Sequence, residues 1–397
     1  MQRIGISGGT FNPPHMGHFN AARYALEALR LDMLLMIPTN ISPHKAMAEG
    51  SPEPKDRLEM VRLCLQDVSN AQACDIELRR DGPSYTWQTV TQLRQVYPDA
   101  ELYLLMGTDM FLSFDSWREP QRITAEATLA VFYRGEKNEV ADIEAQKRKM
   151  ENAGARVVLV KNPVLDISST QLRRMLALQC ASEFLHPGVE SYIRENGFYG
   201  TDKNFKNLTI DALERVVVSL LKPSRVAHVL GCRQAAVELA KRWGVDETDA
   251  ARAALLHDIT KALDGPLQLT LSRAYGMILD AFSVRNTKTL HALTGSWVAR
   301  RIFGENDAVV SAIASHTTGK PGMNLLETII YVADYMEPNR DFPGVEELRR
   351  LAYTDIYDAL RLGLNMTITM LNQQGREVSP ESAQTLEWLE QEERKRI

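Results

Sequence analysis

Cysteine is scarce in this sequence, and the few cysteines are scattered. The 397-residue chain has four, and no two of them form a CxxC pair or another short, regular spacing: Cys64, Cys74, Cys180 and Cys232. A disulfide framework needs clustered cysteines, and a purely structural zinc site usually has cysteine ligands. We therefore expect a reduced chain with neither disulfide bonds nor a structural zinc site.

Long hydrophobic runs and an excess of basic residues are also missing. No apolar run approaches the roughly 18 residues of a membrane span, and the opening Met-Gln-Arg leads directly into an apolar strand without the core of a signal peptide. Residues 1–200 hold 22 Lys and Arg against 25 Asp and Glu, and the remainder holds 24 against 26. This balance excludes a typical phosphate-backbone binder. We expect a cytoplasmic protein with small-molecule partners and no membrane or nucleic-acid partner; the sequence leaves its oligomeric state open.

Apolar residues make up 44% of the sequence, which is enough to form more than one hydrophobic core. At about 150 residues per domain, two or three domains are expected. In the first half, β-rich runs alternate with amphipathic helical patterns, which predicts a Rossmann-like, doubly wound parallel α/β sheet. The predicted strands are 3–8, 32–38, 73–80, 101–107, 127–134 and 156–162; the helical patterns include 18–30, 54–69, 85–97 and 139–153.

The pattern changes near residue 200. A stretch rich in Gly, Asn and Lys, residues 197–207, indicates a linker, which we place at 201–207 between domains 1–200 and 208–397. Beyond it, apolar residues recur at helical spacing, so the second domain is predicted to be an all-α bundle. The predicted helices are 208–221, 226–243, 248–257, 289–303, 324–336 and 345–374.

A glycine-rich turn follows the first predicted strand and reads GGTFNPPHMGH, residues 8–18. Gly8 and Gly9 let the backbone approach a ligand closely, and the helix that follows begins with free N–H groups that favour anions. His15 and His18 can reach the same phosphate and donate to charge that develops on it. A tight turn with two capping histidines explains this motif alone equally well.

A second motif, ISSTQLR at residues 167–173, follows the last predicted strand and begins a helix. Ser168 or Ser169 is a natural helix cap, and its hydroxyl and the free N–H groups can hold a polyphosphate, with Arg173 one turn later. A serine at the start of a helix usually has this structural role alone. Both motifs together in one α/β domain favour a phosphate-binding site.

These motifs resemble the nucleotidyltransferase superfamily with HxGH and ISSTxxR signatures, and within it the bacterial nicotinate-nucleotide adenylyltransferases. The resemblance covers about residues 1–200 and includes Pro43-His44-Lys45, residues 82–86 (GPSYT), residues 106–109 (MGTD) and Trp117. It implies transfer of AMP from ATP to nicotinate mononucleotide with Mg²⁺, giving nicotinate adenine dinucleotide and pyrophosphate. It implies direct in-line attack without a covalent enzyme intermediate.

The resemblance also assigns roles to residues. It implies catalytic roles for His15, His18 and Arg173. It implies ATP- or substrate-binding roles for Gly8, Gly9, Thr10, Phe11, Lys45, Tyr85, Thr86, Asp109, Trp117, Ser168, Ser169 and Thr170. Trp117 can instead be a core aromatic, and Asp109 can instead form an Asx turn. The segment FLSFDSW, residues 111–117, lacks the Leu-Pro and aromatic pairs common in the family, so the choice between the acid and the amide mononucleotide stays open. Phosphopantetheine is a further alternative acceptor.

Four of the eight histidines fall in separate apolar segments of helical character in the second half, together with two aspartates. These six residues are His228, His257, Asp258, His291, His316 and Asp334. Burying so many unpaired polar groups is costly, whereas a metal would satisfy them. We expect one or two transition-metal ions, with Fe, Mn, Co or Zn suited to imidazole and carboxylate ligands. Asp258 can bridge two ions that activate a water and bind a phosphate.

This series resembles the HD-domain metallophosphohydrolases over about residues 208–375. Arg225, the HDxxK motif ending at Lys261, HTTG at 316–319 and ADxxEPxR at 333–340 are similar to the bacterial branch that cleaves diadenosine tetraphosphate into two ADP. The resemblance implies His228, His257, Asp258 and Asp334 around one ion. Iron is the metal that we expect, with Mn, Co and Zn as alternatives.

The same resemblance implies that His291 and His316 join Asp258 at a second ion. It implies a catalytic phosphate contact for Lys261 and a substrate contact for Arg340, although both can be ordinary solvated helix-end charges. Two alternatives stay open for this half: hydrolysis of another nucleotide, or regulatory nucleotide binding without turnover.

Overall fold

The computed structural model describes residues 1–43, 47–48, 50–133, 137–161 and 167–396. The chain divides into two compact units, Met1–Asp202 and Lys203–Ile397. Residues 201–207 lie outside helices and strands. Phe205 in this segment is buried, and its ring stacks on Phe303 with centroids 5.5 Å apart. The predicted linker therefore ends inside the second unit.

The first unit contains a six-stranded sheet in which every neighbouring pair is parallel. Its strands are β1 (Arg3–Gly9), β2 (Met33–Pro38), β3 (Ala71–Ala73), β4 (Glu101–Gly107), β5 (Ala127–Tyr133) and β6 (Val157–Lys161). They are arranged in the order β3-β2-β1-β4-β5-β6. The doubly wound α/β prediction is confirmed.

The central strands are apolar because both faces of the sheet are covered. Residues 34–38 of β2 and residues 127–131 of β5 are buried without interruption, as is typical of parallel sheets packed on both sides. The strand order reverses between β1 and β4, and ligands of such sheets bind at the carboxyl ends of the strands on either side of that point. Both motifs named above follow carboxyl strand ends.

Helices connect the strands of this unit. They are α1 (Met16–Ala28), α2 (Pro54–Leu65), α3 (Thr86–Val96), α4 (Thr108–Leu112), α5 (Pro120–Glu126), α6 (Lys137–Asn152), α7 (Ser169–Ala177) and α8 (Pro187–Glu195). The four predicted helical patterns correspond to α1, α2, α3 and α6 within a few residues. The short helices α4 and α5 were not predicted.

One predicted strand is wrong over most of its length. The run 73–80 was expected to be β, but β3 ends at Ala73 and residues 76–79 form a turn. The backbone N–H groups of Leu78 and Arg79 both donate to the Asp75 carbonyl. The polar side chain of Glu77 is buried and accepts a hydrogen bond from Thr89 at 2.7 Å. A buried polar side chain therefore replaces the apolar one expected of a strand.

The described residues of the second unit form helices and connecting turns without a strand, as predicted. Its helices are α9 (Ile210–Leu220), α10 (Pro223–Trp243), α11 (Glu247–Leu256), α12 (Gly265–Ala274), α13 (Ala281–Arg285), α14 (Leu290–Val298), α15 (Asp307–Ser315), α16 (Leu325–Met336), α17 (Val345–Thr354), α18 (Ile356–Gln373) and α19 (Pro380–Arg396). Helices α10, α11, α15 and α16 pack together, and α16 is buried along most of its length.

Two predicted helices of this unit are divided in the structure. The pattern 345–374 forms two helices because Asp355 leaves the helical conformation and its carboxylate accepts hydrogen bonds from the N–H groups of Tyr357 and Asp358. The pattern 289–303 forms α14 followed by a π-helical turn over Ala299–Phe303. Apolar spacing continues across both breaks, so periodicity alone does not reveal them.

The four cysteines are free thiols in the structure. Among the described residues, no helix is long and apolar enough to cross a membrane.

Candidate functional site

A cavity of about 920 Å³ opens at the carboxyl ends of β1 and β4 in the first unit. This is within the roughly 300–1,000 Å³ range of ligand pockets. Its lining combines both sequence motifs with the segment that follows β4. The predicted residues in the lining are Gly8, His15, His18, Asp109, Ser168 and Ser169. At Gly8, an added Cβ would meet no atom within 4 Å, so the backbone there is open to a ligand.

His15 and His18 form one pair at the start of α1. Their ring centroids are 3.8 Å apart, and the ring of Phe11 lies edge-on to His18 at 5.0 Å. His15 is buried, and its Nδ1 has no hydrogen-bond partner within the described protein. Two imidazoles held side by side in the lining of a cavity can both hydrogen-bond to one anionic group.

Both rings are neutral at pH 7. Burial lowers the pKa of His18 to about 4, and burial together with the neighbouring His18 lowers the pKa of His15 well below its ordinary value. The backbone N–H of His15 donates to His18 Nδ1 at 3.2 Å. The neutral His18 ring therefore carries its proton on Nε2, which makes it a hydrogen-bond donor in the cavity wall.

Two hydroxyls of the ISSTQLR segment make hydrogen bonds within the protein, those of Ser168 and Thr170. Ser168 caps α7, accepting from the Gln171 backbone N–H at 3.2 Å and donating to Gln171 Oε1 at 2.8 Å. Its hydroxyl thus belongs to a capping box. Arg173 donates to the Thr170 hydroxyl at 3.2 Å and to the Asn12 carbonyl at 2.8 Å. Arg173 therefore connects the two motifs.

Three residues that were not predicted hold the first loop in place. Asn12 is buried, and its side chain donates to Ser51 Oγ at 2.8 Å and accepts from the Tyr199 hydroxyl at 2.7 Å. Arg57 has only 1% of its surface exposed and donates to the Thr10 carbonyl at 2.8 Å. Arg57 lies on the apolar face of α2, and a charged residue at such a position could have identified it from the sequence. Nothing in the sequence pattern pointed to Tyr199.

The other predicted residues of this unit have separate positions. Phe11 is buried, and Gly9 lies against its ring, where an added Cβ would come within 3.3 Å. Tyr85 precedes α3, which begins at Thr86, and Arg118 stacks over the Tyr85 ring at 4.7 Å. Trp117, the neighbour of Arg118, is half-buried against the core. Tyr85 and Trp117 thus lie on one side of the unit and outside the described cavity lining. Lys45 lies outside the described residues.

In the second unit, five helices and their ends bring the predicted metal ligands together. His228 lies in α10, His291 in α14 and Asp334 in α16, whereas His257 and His316 directly follow the last residues of α11 and α15. All four histidines are buried, and so is Asp258. Helix ends and a helix interior therefore place all six side chains around one centre.

The ligand atoms form two overlapping groups with spacing suited to metal ions. Atoms of His228, His257 and Asp334 lie within 4.8 Å of one another, and so do atoms of His257, Asp258 and His316. His291 extends the second group, since its Nε2 is 3.1 Å from His316 Nε2 and 3.3 Å from Asp258 Oδ1. Asp258 Oδ2 faces the first group, 3.8 Å from His228 Nε2. Asp258 therefore has one oxygen toward each group.

Hydrogen bonds on the far side of each ring aim the Nε2 atoms inward. The Nδ1 atoms of His257, His291 and His316 are each 2.7 Å from a backbone carbonyl. A carbonyl only accepts, so Nδ1 is the donor. Burial lowers the pKa of His291 and His316 to about 3 and that of His257 well below its ordinary value. Each Nε2 of these three rings therefore carries a lone pair.

This donor set fits a divalent metal. The Nε2 atoms of His291 and His316 face each other at 3.1 Å although both are acceptors, and two acceptors cannot hydrogen-bond. A cation between such atoms satisfies both. Metal-bound histidines usually donate a hydrogen bond from the ring nitrogen that does not bind the metal, as Nδ1 of these rings does here.

Three cations border the metal-ligand cluster. Arg225 pairs with Asp258. Lys261 Nζ is 2.9 Å from His291 Nε2, and burial lowers the pKa of Lys261 to about 8. Arg340 pairs with Asp334 at 2.7 Å. Their side chains are 29%, 39% and 35% exposed, so each lies between the buried ligands and solvent.

Two residues near this centre were not predicted to act there. Glu337 is buried, and its Oε1 is 3.2 Å from His228 Nδ1. Thr317 Oγ1 is 3.2 Å from His316 Nε2. Glu337 lies in the ADxxEPxR motif, one helical turn after Asp334, and that spacing could have identified it.

Comparison with known families agrees with this division of the chain. Residues 6–175 match the cytidylyltransferase-like family model, and residues 225–339 match the HD domain model. The HD domain implies a divalent metal, and its matched range contains all six residues of the cluster.

Individual relatives each cover about half of this chain. A probable nicotinate-nucleotide adenylyltransferase of Shewanella sp. (strain MR-7) is 36% identical over 211 residues, covering 50% of this chain and 99% of the relative. Its counterpart in Shouchella clausii is 38% identical over 201 residues, covering 50% and 98%. A crystal structure from Clostridium acetobutylicum, described as a predicted HD superfamily hydrolase involved in NAD metabolism, is 34% identical with a TM-score of 0.46, covering 47% of this chain and 98% of its own.

Proposed function

Since the chain belongs, through its N-terminal half, to the nicotinate-nucleotide adenylyltransferase family, we propose that its first unit transfers AMP from ATP to nicotinate mononucleotide. The single observation that carries this proposal is the cavity that His15, His18 and the start of α7 line together. A neutral imidazole pair and a helix N-terminus in one cavity suit a polyphosphate.

The chemistry proposed for this cavity is positioning and charge neutralisation. His15 and His18 donate to the ATP phosphates, while Ser169, Thr170 and Arg173 hold the departing pyrophosphate. Mg²⁺ bound to the ATP phosphates would offset part of their charge. The acceptor phosphate attacks the α-phosphorus directly, the bond to the pyrophosphate oxygen breaks, and the two remaining phosphates leave as pyrophosphate.

Recognition of the acceptor is proposed for the side of the unit that carries Tyr85, Thr86 and Trp117. The aromatic rings suit a pyridine ring, and the free N–H groups at the start of α3 suit its carboxylate. Asp109 is proposed to bind a ribose hydroxyl of ATP, and Lys45 to bind a phosphate.

A panel of acceptors tests this assignment. Purified protein receives ATP with nicotinate mononucleotide, nicotinamide mononucleotide or phosphopantetheine, and pyrophosphate release is measured for each. We expect the highest kcat/KM with nicotinate mononucleotide. A preference for either other acceptor would contradict the assignment of the pyridine carboxylate and move this unit to another branch of the superfamily.

For the second unit, we propose metal-dependent hydrolysis of a nucleotide phosphoanhydride, with diadenosine tetraphosphate cleaved to two ADP. The six-residue cluster would hold one or two ions, with iron as the proposed metal, and these would supply an activated water and bind phosphate oxygens. Lys261, Arg225 and Arg340 surround the centre with positive charge suited to a long polyphosphate. Cleavage at the central anhydride adds one water and gives two identical products.

Product analysis separates this proposal from its alternatives. Metal-loaded protein is incubated with diadenosine tetraphosphate, and the nucleotides are resolved by chromatography. ADP alone is the expected product. ATP with AMP would indicate asymmetric cleavage, turnover of other nucleotides only would indicate a different phosphohydrolase, and tight nucleotide binding without turnover would indicate a regulatory domain.

A further inference from the structure

We propose that the two metal positions of the second unit are unequal, and that the position formed by His228, His257 and Asp334 binds the first ion more tightly. This rests on the proposed metal-binding function. The position around Asp258, His291 and His316 fills second. Glu337 and Lys261 are the residues that create the difference.

The first position is supported by a buried carboxylate. His228 is the one ligand histidine of the cluster whose described Nδ1 partner is a carboxylate oxygen, Glu337 Oε1 at 3.2 Å. The other three rings contact backbone carbonyls through Nδ1. A carboxylate accepts the Nδ1 proton more strongly than a carbonyl, and this raises the basicity of Nε2 as a metal ligand.

Glu337 is itself held in place. Its Oε2 accepts from the Asn339 backbone N–H and from Asn339 Nδ2, both at 2.8 Å. Helix α10 approaches it closely at Gly231, where an added Cβ would lie 2.2 Å from Glu337 Oε2. Only 1% of the surface of Glu337 is exposed. It is therefore a fixed partner of His228 and not a mobile surface group.

Neighbouring charges point in the same direction. At the first position, Arg340 pairs with Asp334, but Glu337 Oε1 lies 3.9 Å from Arg340 Nε and offsets its charge. At the second position, the Lys261 ammonium is 3.8 Å from Asp258 Oδ1 and, at 2.9 Å, contacts the ligand nitrogen His291 Nε2 itself. Arg225 pairs with the other oxygen, Asp258 Oδ2, which faces the first position. A second metal ion must therefore displace the Lys261 ammonium from a ligand atom.

Glu337 is accordingly a positioning residue, which acts on the metal through His228. The test measures metal binding in the full-length protein, with Mn²⁺ as the probe. Metal is removed with a chelator, Mn²⁺ is added stepwise, and free Mn²⁺ is measured by electron paramagnetic resonance. Magnetic coupling between two bound ions reports when the second position fills.

We expect two binding steps, with coupling absent after the first equivalent and present after the second. Glu337→Gln keeps the size of the side chain and removes its charge, and it should weaken the tight step by about 10–100-fold while changing the weak step little. Lys261→Met should instead strengthen the weak step about tenfold or more, because the competing cation is gone. Glu327→Gln, on the same α16 helix, removes a buried carboxylate that contacts Ser311 and Lys320, and should change neither step.

Two equal binding steps, or equal weakening of both steps in Glu337→Gln, would overturn the proposed inequality while leaving metal binding intact. Absence of any bound Mn²⁺, Fe²⁺ or Zn²⁺ would instead contradict the metal-binding function and the inequality with it. Lys261→Met keeps the proposal testable if Glu337→Gln does not fold. A weak step unchanged by Lys261→Met would overturn the role given to that ammonium.

Discussion

Replacing His18 separates its structural contribution from its contribution to adenylyl transfer. Its Nδ1 accepts the His15 backbone N–H at the start of α1, and its Nε2–H remains as a donor in the cavity wall. His18→Ala removes both functions. His18→Asn should retain the first, because the amide Oδ1 can accept the same N–H, and lose the second.

The two losses have different sizes. One hydrogen bond contributes about 1 kcal/mol to stability, which lowers Tm by roughly 2–4 °C in a domain of this size. Loss of a donor to charge that develops in the transition state costs about 10²–10³ in kcat. His18→Ala should show both effects. His18→Asn should keep nearly the wild-type Tm but show the same fall in kcat.

The assay measures kcat and KM for ATP by pyrophosphate release with saturating nicotinate mononucleotide, and Tm by calorimetry. We expect KM for ATP to change much less than kcat, because the donor acts mainly on charge that develops during transfer. A His18→Asn protein with near-normal kcat would refute the donor role. If the variants that keep the wild-type Tm also keep the wild-type kcat, His18 acts only as a helix-capping residue.

Four further outcomes are expected. Asp258→Asn should abolish metal-dependent hydrolysis and weaken metal binding, measured by metal analysis, while adenylyl transfer stays normal; loss of both activities would indicate general unfolding. Tyr199→Phe should lower the kcat of adenylyl transfer about tenfold by releasing Asn12 and, through it, Arg173, whereas Tyr192→Phe, which removes a comparable bond to Asp56, should not. The free energy of unfolding of the first unit should fall as pH falls from 6.5 toward 4, because the unfolded chain takes up protons on His15 and His18 that the folded unit excludes; a pH-independent value in chemical denaturation would contradict their low pKa values. Fragments 1–202 and 203–397 should each fold and work alone, which the activities of the separate fragments check.

The sheet and the helical second unit were predictable because burial imposes a regular pattern on strands and helices. The pattern failed at 73–80, where the polar side chain of Glu77 is buried through a hydrogen bond to Thr89, and at Asp355, where a cap divides an otherwise continuous apolar repeat. Both depend on contacts of a polar side chain with particular partners. Hydrophobic periodicity does not encode such contacts.

The candidate sites were predictable to the extent that chemistry concentrates in short motifs. The six metal-ligand candidates were found because buried histidines are rare and need partners. Glu337, Arg57 and Tyr199 were missed because each acts through another residue, His228, Thr10 and Asn12 respectively. Tyr199 and Asn12 are 187 positions apart in the sequence, and only the folded chain brings them together.

One reaction mixture tests most directly whether this chain combines two activities. Metal-loaded full-length protein receives ATP, nicotinate mononucleotide and diadenosine tetraphosphate with Mg²⁺, and phosphorus NMR follows every phosphate. We predict that pyrophosphate and nicotinate adenine dinucleotide appear together while diadenosine tetraphosphate is converted to ADP, and that His18→Ala stops only the first reaction and Asp258→Asn only the second. Absence of pyrophosphate in the wild-type mixture, or loss of both reactions in either variant, would contradict two independent sites on one chain.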